Sequence, residues 1–289
     1  MKTTIVLSAV LGLASTASAH YTFDKLLLNG VQQGGDNTYV RKHQNGYMPT
    51  KWKNIPSGSI SPNDVDFACN KGATAAAQVI KVKAGDKVGL KQAFGGTGML
   101  HPGPTQVYMS PVSDAKSDKG AGSWYKVHQS LLCTAGSAES LRNNAWCSYG
   151  EDNVWFTVPA TVPNGQYLVR GEHIGLHGAH DGQAEFYYAC AQVEVSGNSA
   201  SSMPGTGVKI PGVYKQADAP VNFSVWGRST SYDTAPGPDV IPGGTIRGSA
   251  SGAGGDKVQT VAGGSSASGV TPSKAASAGA AASTPACKN

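Results

Sequence analysis

Apolar and polar residues alternate with a period of two along much of this chain, and glycine and proline punctuate the runs, which is the pattern of strands rather than helices. In QVIKVKAGDKVGL, residues 78–90, Ile80, Val82 and Ala84 share one face, Gly85-Asp86 marks a turn, and Val88 and Leu90 continue the apolar set. That predicts a hairpin with one buried face. VWFTVPATVPNGQYLVRGEHIGL, residues 154–176, is β-branched and aromatic on both sides of Asn164-Gly165, a dipeptide that favours tight hairpin turns, and predicts a second hairpin. AEFYYACAQVEVSG, residues 184–197, reads as a further strand. No helical period is sustained. The expected fold is all-β: an antiparallel, immunoglobulin-like or fibronectin-like β-sandwich with long loops. Residues 39–64 form an uninterrupted connection of a length that usually carries surface function.

The two ends depart from this pattern. Lys2, the apolar run 5–13 and Ala17-Ser18-Ala19 make a secretory signal peptide cleaved after Ala19. The apolar run is too short to span a bilayer, so the expectation is a secreted, extracellular protein with no membrane partner. Removing residues 1–19 of 289 leaves 270, enough for one large β domain. Residues 246–289 are mostly Gly, Ala and Ser and read as a disordered tail, which sets the expected folded domain at 20–245. The polar end STPACKN does not supply a lipid-anchor signal.

Charge matters only once it is apportioned. Of the 23 basic residues, Lys2, Arg247, Lys257, Lys274 and Lys288 lie in these two ends; of the 18 acidic ones, only Asp256 does. The rest carries 18 basic against 17 acidic residues, a near-neutral surface suited to an uncharged partner and not to nucleic acid. Five cysteines without a Cys-x-x-Cys motif, in an exported chain, point to disulfides. Cys287, alone in the tail, is the odd one; Cys69, Cys133, Cys147 and Cys190 remain to pair.

Seven histidines supply candidate chemistry: His20, His43, His101, His128, His173, His177 and His180. The spacing in HIGLHGAH would gather His173, His177 and His180 on one helical face and suggest zinc, but its flanks read as strand. Cleavage after Ala19 offers another arrangement. An N-terminal histidine presents its α-amine, whose reference pKa is low for an amine, together with its ring nitrogen. One further imidazole would complete three nitrogens in a plane, a set that suits copper(II) better than zinc.

HYTFDKLLLNG from His20, HPGPTQVYMS from His101, GEHIGLH, AEFYYACAQVEV, GTGVKIPGVY and TSYDTAPGPDV together resemble the fungal lytic polysaccharide monooxygenases of auxiliary activity family nine, formerly glycoside hydrolase family sixty-one. The resemblance extends over residues 20–240. It implies one copper ion held by His20 and His101, with Tyr187 as axial neighbour and His177 as a second histidine toward the oxygen species. Glu185 stands where the family usually has glutamine. A carboxylate accepts the same hydrogen bonds but donates none unless protonated, so Glu185 is expected in proton transfer. The resemblance also implies the disulfides Cys69–Cys190 and Cys133–Cys147, and a flat aromatic face with Tyr232 and Tyr21 as substrate-binding residues, Tyr47 and Trp52 being weaker candidates. Asn222-Phe223-Ser224 is a glycosylation sequon.

The implied activity is oxidative cleavage of β-1,4-glucan, above all crystalline cellulose, at carbon 1 or carbon 4. It would use dioxygen or hydrogen peroxide and an external electron donor, either a small reductant or a secreted redox enzyme, with the protein acting as a monomer. Two alternatives belong to other classes. One is a non-catalytic copper- and carbohydrate-binding module. The other is a hydrolase, in which two of Asp66, Glu172 and Glu185 would flank a glycosidic bond.

Overall fold

The structure is a computed structural model and describes residues 20–93 and 98–263; the expected signal peptide and residues 264–289 lie outside the described residues. Among the described residues, eleven strands form two sheets packed face to face. The smaller sheet has the order β2-β1-β4-β7, from β1 (Phe23–Leu28), β2 (Val31–Gln33), β4 (Lys87–Gln92) and β7 (Asn153–Thr157). The larger has the order β11-β10-β6-β5-β8-β9-β3, from β3 (Ile80–Lys83), β5 (Thr105–Val112), β6 (Tyr125–Ser130), β8 (Gly165–Gly175), β9 (Glu185–Ser196), β10 (Thr245–Arg247) and β11 (Val258–Thr260). Most pairs are antiparallel, but β3 runs parallel to β9 and β10 parallel to β6. The all-β, immunoglobulin-like sandwich is therefore the observed architecture.

Neither predicted hairpin forms. Both turns are present, yet β3 and β4 lie in different sheets, as do β7 and β8. The backbone N–H of Asp86 donates to the Lys83 carbonyl, turning the chain from one layer into the other. Asn164 exchanges hydrogen bonds with Asn198 instead of closing a turn between β7 and β8. The expected domain end at residue 245 is also too early, because β10 and β11 belong to the larger sheet and the described domain runs to residue 263.

Period-two alternation explains how the larger sheet is used. On β9, Tyr187, Ala189, Ala191 and Val193 face the sandwich interior, where they meet Phe23, Leu26, Val88, Leu90 and Phe156. Phe186, Tyr188 and Cys190 face the other way, into a second apolar cluster with Phe67, Tyr108, Trp124 and Tyr214 that the long loops cover. A sheet buried on both faces must bury some polar groups, and the charged pair on β8 is satisfied. On β8, Arg170 bonds Glu172, which also accepts from Gln106 and from the Tyr214 hydroxyl at 2.9 Å. Among the described residues, two disulfides are present, Cys69–Cys190 from loop to β9 and Cys133–Cys147 across a loop beyond β6.

Candidate metal centre

Four segments bring their chemistry to one end of the sandwich. His20 and Tyr21 lead into β1, and His101 precedes β5. His177 sits between β8 and β9, and Glu185 and Tyr187 open β9. The last residues of β8 hold this end together: Ile174 N–H donates to Pro104 and Leu176 N–H to Pro102, which lays residues 102–104 alongside β8. Gly103 has φ +153°, and a Cβ there would stand 1.8 Å from the Ile174 carbonyl oxygen, so only glycine permits this approach. A Cβ on Gly175 would press on His101 and His177, at 3.3 and 3.4 Å.

The rings form a compact group. His20 and His101 have centroids 6.3 Å apart, and Tyr187 lies 5.7 Å from His101 and 6.3 Å from His20. His177 stacks on His101 at 4.3 Å. The side chain of His101 is 14% exposed and that of His177 34%, so the group opens at the surface. Glu185 sits beneath it at 8% exposure, its Oε2 accepting the Tyr187 hydroxyl at 2.6 Å and lying 3.6 Å from His177 Nε2 and 3.9 Å from His101 Nε2. Lys51 Nζ approaches the other oxygen, Oε1, at 3.4 Å.

Burial and these neighbours set the protonation states. Burial pushes the Glu185 carboxyl upward, but the Tyr187 hydrogen bond and the charges of His177, His101 and Lys51 outweigh it and hold the group below its ordinary range. Burial, with Glu185 adding to it, drives the Tyr187 phenol far up, so it stays protonated. Burial pulls His177 down against the opposing pull of Glu185.

Among the described residues, His101, His177 and Glu185 form a group whose ligand atoms all lie within 4.8 Å of one another. The zinc trio does not assemble: His173 is buried and hydrogen-bonded to Tyr21, burial lowering its pKa to about 3, and His180 is exposed on a separate short turn. The donor set fits a copper ion shared by His20 and His101. Metal–nitrogen bonds of about 2 Å, with roughly 1 Å from nitrogen to ring centre on each side, place two rings about 6 Å apart across one ion. The α-amine of His20 joins only if residues 1–19 are removed.

Two expected substrate residues are misplaced. Tyr232 is buried, its hydroxyl donating to the Pro220 carbonyl and its ring held edge-on by Trp146 and Phe223, so it offers no face to a ligand. Tyr21 is buried too, stacked on Tyr187 at 4.2 Å, and serves as the floor of the site. Trp52 packs on Phe186, while Tyr47 is exposed. The exposed aromatic beside the histidines is one that sequence reasoning passed over. Trp226 is 52% exposed, its Nε1–H donates to the His177 carbonyl at 2.7 Å, and the Arg142 guanidinium lies 5.2 Å from its ring centre.

The hydrolytic arrangement finds no counterpart. Glu172 is fully buried and bonded to Arg170, Gln106 and Tyr214, and Asp66 accepts from Gly72 N–H. Asn222 is exposed on a loop. Among the described residues, no helix is long and apolar enough to cross a membrane.

The chain is similar to known proteins. The family model of Auxiliary Activity family 9 (formerly GH61) matches residues 20–232. The chain is 47% identical over 251 residues to AA9 family lytic polysaccharide monooxygenase A of Aspergillus fumigatus, covering 85% of this chain and 84% of that protein. It is 47% identical over 243 residues to lytic polysaccharide monooxygenase D of Aspergillus tamarii, covering 82% and 86%. Among solved structures, the extended catalytic domain of H. jecorina LPMO9A superposes with a TM-score of 0.65 at 24% identity, over 84% of this chain and all of that one. A cellulose-active polysaccharide monooxygenase from M. thermophila gives 0.63 at 25% identity, over 78% of this chain and 100% of that one. With the family model spanning residues 20–232 and relatives 47% identical over more than four fifths of both chains, this chain belongs to Auxiliary Activity family 9, the lytic polysaccharide monooxygenases.

Proposed function

We propose that the protein is a secreted, copper-dependent monooxygenase that cleaves β-1,4-glucan chains, cellulose foremost, at carbon 1 or carbon 4. The observation that carries the reading is the facing pair His20 and His101, 6.3 Å apart at the rim, with the buried Tyr187 phenol within 6.3 Å of both. Removal of residues 1–19 would add the His20 amine, and three nitrogens of this kind favour copper(II). Copper, once bound there and reduced by an external donor, supplies the activation of dioxygen or hydrogen peroxide needed to abstract a hydrogen from the sugar ring.

The side chains divide the remaining work. His177, stacked on His101 and partly exposed, can hydrogen-bond an oxygen co-substrate at the open side. Glu185 keeps the Tyr187 hydroxyl engaged as a donor and stands ready to hold a proton between Tyr187 and His177. Trp226 offers a half-exposed indole on which a neutral sugar ring can stack. Support for cellulose as substrate comes from the M. thermophila relative, which is cellulose-active. The exposed Asn222 is available for glycosylation of a secreted chain.

The test is mass spectrometry of soluble products from cellulose treated with copper-loaded mature protein and ascorbate. Oxidised oligosaccharides that disappear with a chelator and in His101→Ala are expected, and their masses and fragments give the carbon attacked. Tight copper binding without oxidised products would overturn the enzymatic reading in favour of a binding module. Unoxidised sugars released without copper would revive hydrolysis.

A further inference from the structure

The loop of residues 39–64 does more than lie on the surface beside the site. Thr50 and Phe186 exchange both backbone hydrogen bonds, at 3.0 and 2.9 Å, which docks the loop on β9 next to Glu185. Three polar contacts follow: Lys51 Nζ to Glu185 Oε1 at 3.4 Å, Lys53 Nζ to Asp181 at 2.7 Å, and Asn54 Nδ2 to Gln183 Oε1 at 2.9 Å. The second and third are exposed, where such pairs contribute little. The first is not: the Lys51 and Glu185 side chains are 13% and 8% exposed. A charge so far out of water is costly unless it is paired, and Lys51 and Glu185 pair with each other, Glu185 drawing also on Tyr187 and the histidines.

Glu185 thereby acquires two distinct oxygens. Oε1 faces the ammonium, while Oε2 faces Tyr187, His177 and His101. We propose that Lys51 is a positioning residue of the metal centre: it fixes the direction of the Glu185 carboxylate and balances its charge, so the histidines adjoin a neutral ion pair and not a lone anion. This rests on the reading of the site as a copper centre.

Charge balance makes a signed prediction that a packing role does not. Loss of the ammonium leaves an uncompensated negative charge beside the histidines and favours copper(II) over copper(I). Loss of the carboxylate charge leaves a positive one and does the reverse. Loss of both cancels.

The experiment measures the copper reduction potential and the copper(II) paramagnetic-resonance spectrum of the mature protein and of Lys51→Met, Lys51→Arg, Glu185→Gln and the double variant Lys51→Met/Glu185→Gln. Lys51→Met is expected to raise the preference for copper(II) at least threefold, a fall of roughly 28 mV at about 59 mV per decade. Glu185→Gln should move the potential upward, while the double variant and Lys51→Arg return toward the unmodified value. An unmoved potential in Lys51→Met, or shifts of the same sign in both single variants, would overturn the proposal while leaving the copper reading intact. Failure of the unmodified protein to bind copper would overturn that reading and this proposal with it. Should Lys51→Met not fold, the double variant, which leaves no charge unpaired, supports the proposal if it reverses the shift of Glu185→Gln and overturns it if it does not.

Discussion

Replacing Trp226 by alanine tests whether the surface around the histidines is built to receive a sugar chain. The indole is held from two sides, by its own N–H on the His177 carbonyl at 2.7 Å and by Arg142, whose Nη2 also donates to the Trp226 carbonyl at 3.3 Å. Its orientation is thus set before any ligand arrives, which removes much of the ordering cost of stacking. A tryptophan side chain buries about 150–250 Å² when fully covered, and at 52% exposure roughly 100 Å² remains available. Covering half to all of that at about 25 cal/mol/Å² contributes roughly 1–2.5 kcal/mol. The expected result is a loss of roughly 8- to 65-fold in the binding constant for microcrystalline cellulose, read from depletion isotherms of the copper-loaded protein. Trp226→Phe should retain most of the affinity. The free protein should lose about 2–3 kcal/mol of stability, since the covered half of the indole is removed together with one exposed hydrogen bond and one cation–π contact. Binding within twofold of the unmodified protein, in a variant that still melts cooperatively, would refute the stacking argument.

Two further predictions concern the fold. A chain of residues 20–245 lacks most of β10 and all of β11, and with them the pairing to β6 and the ion pairs of Arg247 with Asp256 and Glu151; it should melt well below a chain of residues 20–263 in calorimetry. Equal melting temperatures would show that these strands add nothing. Lys126 is fully buried, its ammonium donating to Pro236 O at 2.8 Å, and burial lowers its pKa to about 7 against the pull of Glu172 and Asp239. Between pH 7 and about 10 the unfolded chain holds a proton that the folded chain has released, so this residue's contribution to stability rises with pH across that window. The melting temperature of the unmodified protein minus that of Lys126→Met should therefore grow from pH 7 to pH 9; a constant difference would place the ammonium outside the titration.

Alternation along the chain revealed where strands lie and which side chains turn inward, but not which strand lies beside which. In a sandwich the inner faces of both sheets are apolar, so Ile80 and Val82 satisfy their pattern in the larger sheet as well as they would have opposite Val88 and Leu90 in the smaller. The turns at Gly85-Asp86 and Asn164-Gly165 were legible as turns; whether each stays within a layer or crosses to the other depends on contacts far away in sequence. β10 was hidden for a different reason. Thr245, Ile246 and Arg247 are surrounded by glycine, and their place is secured by the β6 ladder and by ion pairs rather than by an apolar run. Average composition over residues 246–289 cannot register so short a strand.

The candidate site was legible where chemistry dictates residue type, and obscure where a loop decides which way a ring points. Phe223, Trp226 and Tyr232 lie close together in an irregular segment with no period to separate inward from outward, and the structure buries Tyr232 while it exposes Trp226. Tyr21 carried a usable signal: it is two residues before Phe23, so a strand period places both toward the interior, where their rings meet edge-on at 5.9 Å. The same alternation has a consequence for His20. With Tyr21 anchored inward on Tyr187 and His173, Thr22 is held from two directions, its carbonyl accepting Ala93 N–H at 2.9 Å and its hydroxyl bonded to His43 Nε2 at 2.8 Å. Asn45 N–H donates to the other nitrogen of His43, so Nε2 carries the ring proton and donates it to Thr22. Burial keeps that imidazole neutral, with a pKa of about 4. A chain terminus is ordinarily the least ordered part of a domain. Here Tyr21 and Thr22 are anchored just ahead of β1, so that with residues 1–19 removed, as proposed above, a His20 that would otherwise fray would be held to meet His101 in a defined geometry.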